Sequence, residues 1–317
     1  MSASGEASAD SLFLSEYSGD GELAPKKTSA RVKARPHDSD SDSIDSLGDR
    51  VARIREWSPK RKLLRAGKFD SALICAARGE GKSMLIRYWY ETVVAGAAPN
   101  KGFAMTFVLS RSEPTLRHYA EFIPPIWTPA EREKPLDERG PPINFVDFNT
   151  KGETFLRKLV ASQAARGGDA PRVLVILDDV LTKELRYNDA VTQLFTQGRH
   201  SHIAVWLISQ AFTNAIDTNV RKNSDLMVFL RCRSGLESES IKKEVIRGCL
   251  APEDVGCTEL PSGKAPTTEA RFCAGVLSEC TSDYKALVVD HRVKTTRAHK
   301  MMAYFKVPSG YVAAIEG

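Results

Sequence analysis

Long apolar runs are missing from this chain of 317 residues. No stretch approaches the ~18 residues that a membrane-spanning helix requires, and the N-terminus carries no apolar core of a secretory signal. The expectation is an intracellular protein, or one held inside a particle, with no membrane partner. Cysteine is sparse as well. Cys75, Cys232, Cys249, Cys257, Cys273 and Cys280 form no C-x-x-C pair and no metal spacing with histidine, which argues against a disulfide framework and makes reduced thiols the default. A zinc site among the four C-terminal cysteines is the alternative. Internal repeats are also lacking.

What is present suits a globular α/β protein, with 42% hydrophobic and 27% charged residues, and its length allows one large core. Charge is unevenly placed. Of 45 Lys/Arg and 40 Asp/Glu, residues 1–50 hold 6 and 10, so the remainder holds 39 and 30, a net of +9. A basic folded part is compatible with a polyanionic partner, although a solvated basic surface explains it equally. Residues 1–48 are rich in Ser, Asp and Gly and include the acidic run His37 to Ser46, too few apolar groups to offset conformational entropy. This segment is predicted to be disordered.

From 49 to 66, the spacing of Val51, Ile54 and Trp57 predicts a short amphipathic helix before the basic Lys60-Arg61-Lys62. Residues 67–292 then alternate apolar runs with helical patterns, the signature of a parallel sheet covered by helices. Strands are expected at 71–76, 103–109, 143–148, 172–177, 203–209, 226–231 and 285–290. Helices are expected near 83–95, 113–122, 154–166, 190–197 and 237–248, with a charged surface loop at 130–140. Residues 293–317 read as a basic C-terminal tail. At this boundary Arg292, Lys294 and Arg297 precede Tyr304 and Phe305, a mixture able to follow a phosphate backbone or simply to be solvated.

The first chemical motif lies where the strand at 71–76 meets a helix. Arg78, Gly79, Glu80, Gly81, Lys82, Ser83 and Met84 form a phosphate-binding loop, in which glycines turn backbone N–H groups inward, the helix N-terminus attracts anions and lysine completes the cradle. Ser83 is placed to hold Mg2+. Ala76 stands where the usual pattern has its first glycine, and Glu80, a carboxylate inside an anion loop, must point away from the nucleotide.

The second motif is Arg172 to Leu177 followed by Asp178 and Asp179, an uninterrupted aliphatic strand ending in two carboxylates. Burial on both faces explains the aliphatics. At a strand's carboxyl end, Asp178 would organise Mg2+ through its water shell and Asp179 would activate the attacking water; a pair of helix-capping aspartates is the plainer account. The third is the strand 203–209 ending at Gln210, which would lie beside the second motif and aim its amide at the γ-phosphate and water. A loop-capping glutamine is the alternative.

With the order Lys82, Asp178-Asp179, Gly198-Arg199-His200 and Gln210 established, residues 69–290 resemble the DNA-packaging ATPases of large DNA viruses, typified by the poxvirus enzyme, within the FtsK/HerA class of P-loop motors. The resemblance implies a RecA-like core of the ASCE type, with a mostly parallel central sheet and helices on both faces. It implies ATP and Mg2+ dependence, a homo-oligomeric ring of six or five subunits, and translocation of double-stranded DNA into a capsid. Capsid or portal proteins would be partners, and the assembly site in host cytoplasm or nucleus, or the virion, the location. Arg199, at the matching signature position, would reach the neighbouring subunit's nucleotide; Arg231 and Arg233 compete for that role, and an ion pair is the structural alternative. A cellular FtsK/HerA translocase, a P-loop kinase and an ATP-gated scaffold remain the other readings.

Overall fold

The computed structural model describes residues 54–59, 63, 70–97, 102–182, 186–250, 268–295 and 298–316 of the chain. The disordered tail expected at 1–48 lies outside the described residues, as does Cys257. Residues 127–140 form a small unit with its own contacts. In it Thr128 accepts from the Glu131 amide, Trp127 donates to the Gly140 carbonyl, and the Arg139 guanidinium lies 5.0 Å from the Trp127 ring centroid.

Elsewhere the described residues form one nine-stranded sheet: β1 (Arg55–Glu56), β2 (Ser71–Cys75), β3 (Met105–Ser110), β4 (Phe145–Asp147), β5 (Val173–Asp178), β6 (Ile203–Ser209), β7 (Leu226–Phe229), β8 (Lys285–Asp290) and β9 (Met302–Lys306). The spatial order is β1-β9-β8-β7-β2-β6-β5-β3-β4. All neighbouring pairs are parallel except those that β8 makes with β7 and β9. The strand leading into residues 78–84 therefore lies beside β6, and β6 beside β5, the latter as the motifs predict.

Alternation along the strands builds two cores, one on each face of the sheet. Leu73, Phe107, Val175, Val205 and Phe229 enter one cluster; Ile74, Val108, Ile176, Trp206 and Val228, one residue on or before, enter the other. Strands buried on both sides need aliphatics at every position, which is why no polar alternation shows in the sequence. Helices α1 (Lys82–Trp89) and α2 (Glu113–Ala120) cover the face of Trp206, burying Leu85, Ile86, Trp89 and Tyr119. Helices α3 (Glu153–Arg166), α4 (Asp189–Gln197) and α5 (Thr268–Thr281) cover the other, burying among others Leu156, Leu194 and Val276.

Two expectations are corrected at the sheet's far edge. Residues 55–56 form β1, not a helix: Ile54 and Trp57, three apart, enter opposite cores, as extended chain requires and a helix forbids. The segment 293–317 is not a solvated tail. It supplies β9 and a final helix, α6 (Ser309–Glu316), and Phe305 is buried. Arg292 is also withdrawn from any nucleic-acid surface, because its guanidinium is buried between Asp290 and Asp70, with contacts of 2.7 and 2.5 Å.

An aromatic cluster fastens this edge to the core. Trp57 lies 5.4 Å from Trp89 and 6.4 Å from Phe305, and Trp89 lies 5.9 Å from Trp206. Truncating a buried phenylalanine removes its burial energy and leaves a cavity. Phe305→Ala is expected to lower unfolding free energy by about 3–5 kcal/mol, read from the urea midpoint, whereas Lys306→Ala, exposed on the same strand, should stay within ~0.5 kcal/mol.

Candidate active site

Backbone pairing brings the three motifs to one end of the sheet. Cys75 at the end of β2 is in register with Ser209, and Asp178 at the end of β5 with Ile208. The chain leaving each strand is tied to its neighbours: Ala76 N–H donates to Ser209 O, Ala77 N–H to Arg231 O, and Asp179 N–H to Ile208 O. Ligands in open parallel sheets are taken at this carboxyl edge.

The loop itself has the conformation that binds anions. Gly79 and Gly81 adopt φ of +80° and +86°, values open to glycine and strained for other residues, so that the chain turns tightly into α1. Ala76 is absent from the positive-φ residues and its methyl is buried, so nothing at that position demands glycine. Gly81 caps the helix with no side-chain acceptor, leaving the first-turn N–H groups and the exposed Ser83 hydroxyl for a ligand. Arg78 is exposed and Met84 half-buried on the first turn.

Glu80 does turn aside. Its Oε1 accepts from Arg233 Nε at 2.9 Å, across the end of β7. Lys82 turns the opposite way, its Nζ 3.4 Å from Asp178 Oδ1 and 3.5 Å from Asp179 Oδ1. Gln210 Nε2 donates to Asp179 Oδ2 at 2.8 Å. Lys82, Asp178, Asp179 and Gln210 are thus one connected group drawn from three strands' ends. Asp179 sits at φ +52°, a left-handed conformation that aspartate tolerates better than most residues and that lifts its carboxylate off the strand direction.

Asp178 is treated differently from its neighbour. It is buried, and burial pushes its carboxyl above the usual aspartate range, against the lowering effect of Lys82. The buried Tyr119 hydroxyl, on α2, donates to Asp178 Oδ2 at 2.9 Å. Burial and the nearby Asp178 charge raise the Tyr119 pKa in turn, which keeps that phenol a donor. Tyr119 escaped the sequence reading because 59 residues separate it from Asp178; only the pairing of β3 with β5 carries α2 to the site.

Arg199 is not among these residues. It lies on the turn Gly198–Ser201 before β6, 46% exposed and 3.7 Å from Asp225, whereas Gln210 follows β6. Seven strand residues, roughly 23 Å at 3.3 Å each, separate the two ends. Arg231 and Arg233 are at the site's edge and exposed, Arg233 with its charge already engaged by Glu80.

The donor set fits a nucleotide's metal. Among the described residues no three His, Cys, Asp or Glu side chains could hold a metal alone. Mg2+ does not need such a cage, since it keeps waters and phosphate oxygens and takes one or two protein oxygens. Ser83 and Asp178 can supply those.

Comparison with known proteins agrees on the fold. No family model matches the sequence, and no curated protein matches it. Among solved structures, the DNA-packaging ATPase from Sulfolobus turreted icosahedral virus is 15% identical, covering 76% of this chain and 99% of its own, with a TM-score of 0.50. The genome-packaging NTPase of Sulfolobus turreted icosahedral virus 2, in complex with AMPPCP, is 15% identical over 76% of this chain and 98% of its own, with a TM-score of 0.46. The conjugation coupling protein TcpA, with ATPγS, is 16% identical over 55% and 52%, with a TM-score of 0.37. At that level of identity the first of these shows a shared fold, a mostly parallel sheet covered by helices as the motifs lead one to expect.

The Tyr119 contact generates a pH-dependent expectation. A carboxyl whose folded pKa exceeds its ordinary 3.8 holds its proton more tightly when folded, so its contribution to stability falls as pH rises through that window. Tyr119→Phe removes a hydrogen bond to the charged form. It should therefore raise the Asp178 pKa further and cost about 1.5–3 kcal/mol above the window, with a smaller loss below it. Urea unfolding at several pH values, with carbonyl NMR of Asp178, measures both.

Proposed function

We propose that this protein is an ATP-hydrolysing motor that translocates double-stranded DNA, packaging a viral genome into a capsid. The observation that carries the proposal is the connected group Lys82, Asp178, Asp179 and Gln210 at the carboxyl ends of β2, β5 and β6. A shared fold with a packaging ATPase supports the biological setting, as does the basic character of the chain beyond residue 50.

ATP phosphates bind the loop N–H groups and Lys82, which exchanges its carboxylate partners for phosphate oxygens. Asp179, half-exposed where Asp178 is buried, accepts the proton of the attacking water. Gln210 orients that carboxylate through its 2.8 Å bond and reports on the terminal phosphate through the same amide. Ser83 and Asp178 would hold Mg2+, which neutralises developing phosphate charge. Tyr119 keeps Asp178 fixed while it does so.

Arg199 enters from the neighbouring subunit. Its distance from the site within one chain excludes action in cis, so its role requires a ring in which the opposite sheet edge approaches the next nucleotide. The ring, the capsid or portal partner and a site of action at virus assembly belong to the same proposal.

Lys82→Ala should abolish ATP binding measured by calorimetry. Asp179→Asn should bind ATP normally while DNA-stimulated phosphate release falls by ~10²–10⁴; full turnover by this variant removes Asp179 from the proton step. Arg199→Ala should lose ~10³-fold or more in turnover with ATP affinity kept. Mixing it with Lys82→Ala subunits should restore part of the activity, because each contributes what the other lacks; no restoration in the mixture ends the trans assignment.

A further inference from the structure

A nucleoside triphosphate bound to this loop has two ends, and the residues around β2 distinguish them. Lys82 faces Asp178 and Asp179, and Gln210 joins Asp179, so the terminal phosphate belongs on the β6–β5 side of β2. The nucleoside must leave on the other side, toward β7 and β8.

The turn between α5 and β8 stands there. β8 runs antiparallel to β7, pairing Leu287 with Phe229, so its start lies at the carboxyl edge of the parallel strands. Tyr284, immediately before it, is 68% exposed. A Cβ built on Gly81 would lie 3.5 Å from Tyr284 Cδ1 and 3.8 Å from Leu230 Cδ2, so the ring already rests against the residue that precedes Lys82. Asp283 and Tyr284 are both left-handed, at φ +50° and +58°. For an aromatic residue this backbone is an outlier, and an exposed ring recovers little burial to offset it.

We infer that Tyr284 is the platform on which the nucleobase stacks, an inference that rests on the ATP-site reading above. The strained turn presents a flat apolar face at the rim of the phosphate loop, on the side where the base emerges. Stacking uses a π-face that every base has, so purine triphosphates should bind comparably and the ring should contribute nothing to inorganic tripolyphosphate.

The test measures affinities of the full chain for ATP, GTP and tripolyphosphate by calorimetry. Tyr284→Asn removes the ring with a side chain suited to left-handed backbone, and Tyr284→Trp keeps an aromatic face. Tyr284→Asn should lose about 5- to 100-fold in ATP and GTP affinity while tripolyphosphate affinity holds, and Tyr284→Trp should retain nucleotide binding. Equal losses for ATP and tripolyphosphate, or no loss for ATP, overturn the platform and leave the ATP site standing. Wild-type protein that binds none of the three, or binds them unchanged after Lys82→Ala, overturns the ATP reading itself.

Discussion

The site depends on the hydrogen-bonded register of β6 between β2 and β5. Each strand ends in a different chemical group: β2 in the loop of Gly79, Gly81 and Lys82, β5 in two carboxylates, and β6 in Gln210. None of these groups can act alone. Parallel pairing aligns their carboxyl ends, and the bonds from Ala76 and Asp179 to β6 carry the alignment one residue past the strands. A slip of one residue on β6 would turn Leu207 and Ile208 to the wrong cores and move Gln210 off Asp179, so the apolar pattern that stabilises the sheet also protects the geometry.

Electrostatics then separates two neighbouring aspartates. Asp178 ends its strand facing inward, where burial favours its neutral form and Lys82 and Tyr119 favour the charged one. Asp179 is turned outward by its left-handed backbone and keeps a 36% exposed side chain. A fixed, buried carboxylate suits holding a cation; an accessible one beside an amide suits accepting a proton. The loop shows the same division. Lys82 is drawn to the carboxylates on one side and Glu80 to Arg233 on the other, so both charged side chains turn away from the helix N-terminus between them.

At the opposite edge, charge serves the fold. Arg292 is buried between Asp290 and Asp70, and the Ser71 amide and hydroxyl both bond to Asp225 Oδ2. These contacts join β2, β7 and β8 below the site. Buried charges of this kind persist because each has a partner, and removing one would strand the other.

Local chemistry was enough for the phosphate loop, the Asp178-Asp179 strand and the Gln210 strand, because glycine spacing, aliphatic runs and terminal polar groups are properties of neighbouring residues. The pairing of β6 with β5 was expected from them as well. The ends of the sheet were not legible: Ile54 and Trp57 have helical spacing but serve two faces of a strand, and Phe305 follows a basic run that hides its burial. Tyr119, Arg233 and Tyr284 come to the site from 59, 153 and 203 residues away in sequence, counting from their partners Asp178, Glu80 and Gly81. Sequence alone determined which groups the proposed nucleotide site could draw on. Only tertiary structure decided which would meet, because strand pairing and helix packing join residues whose separation along the chain carries no record of the contact.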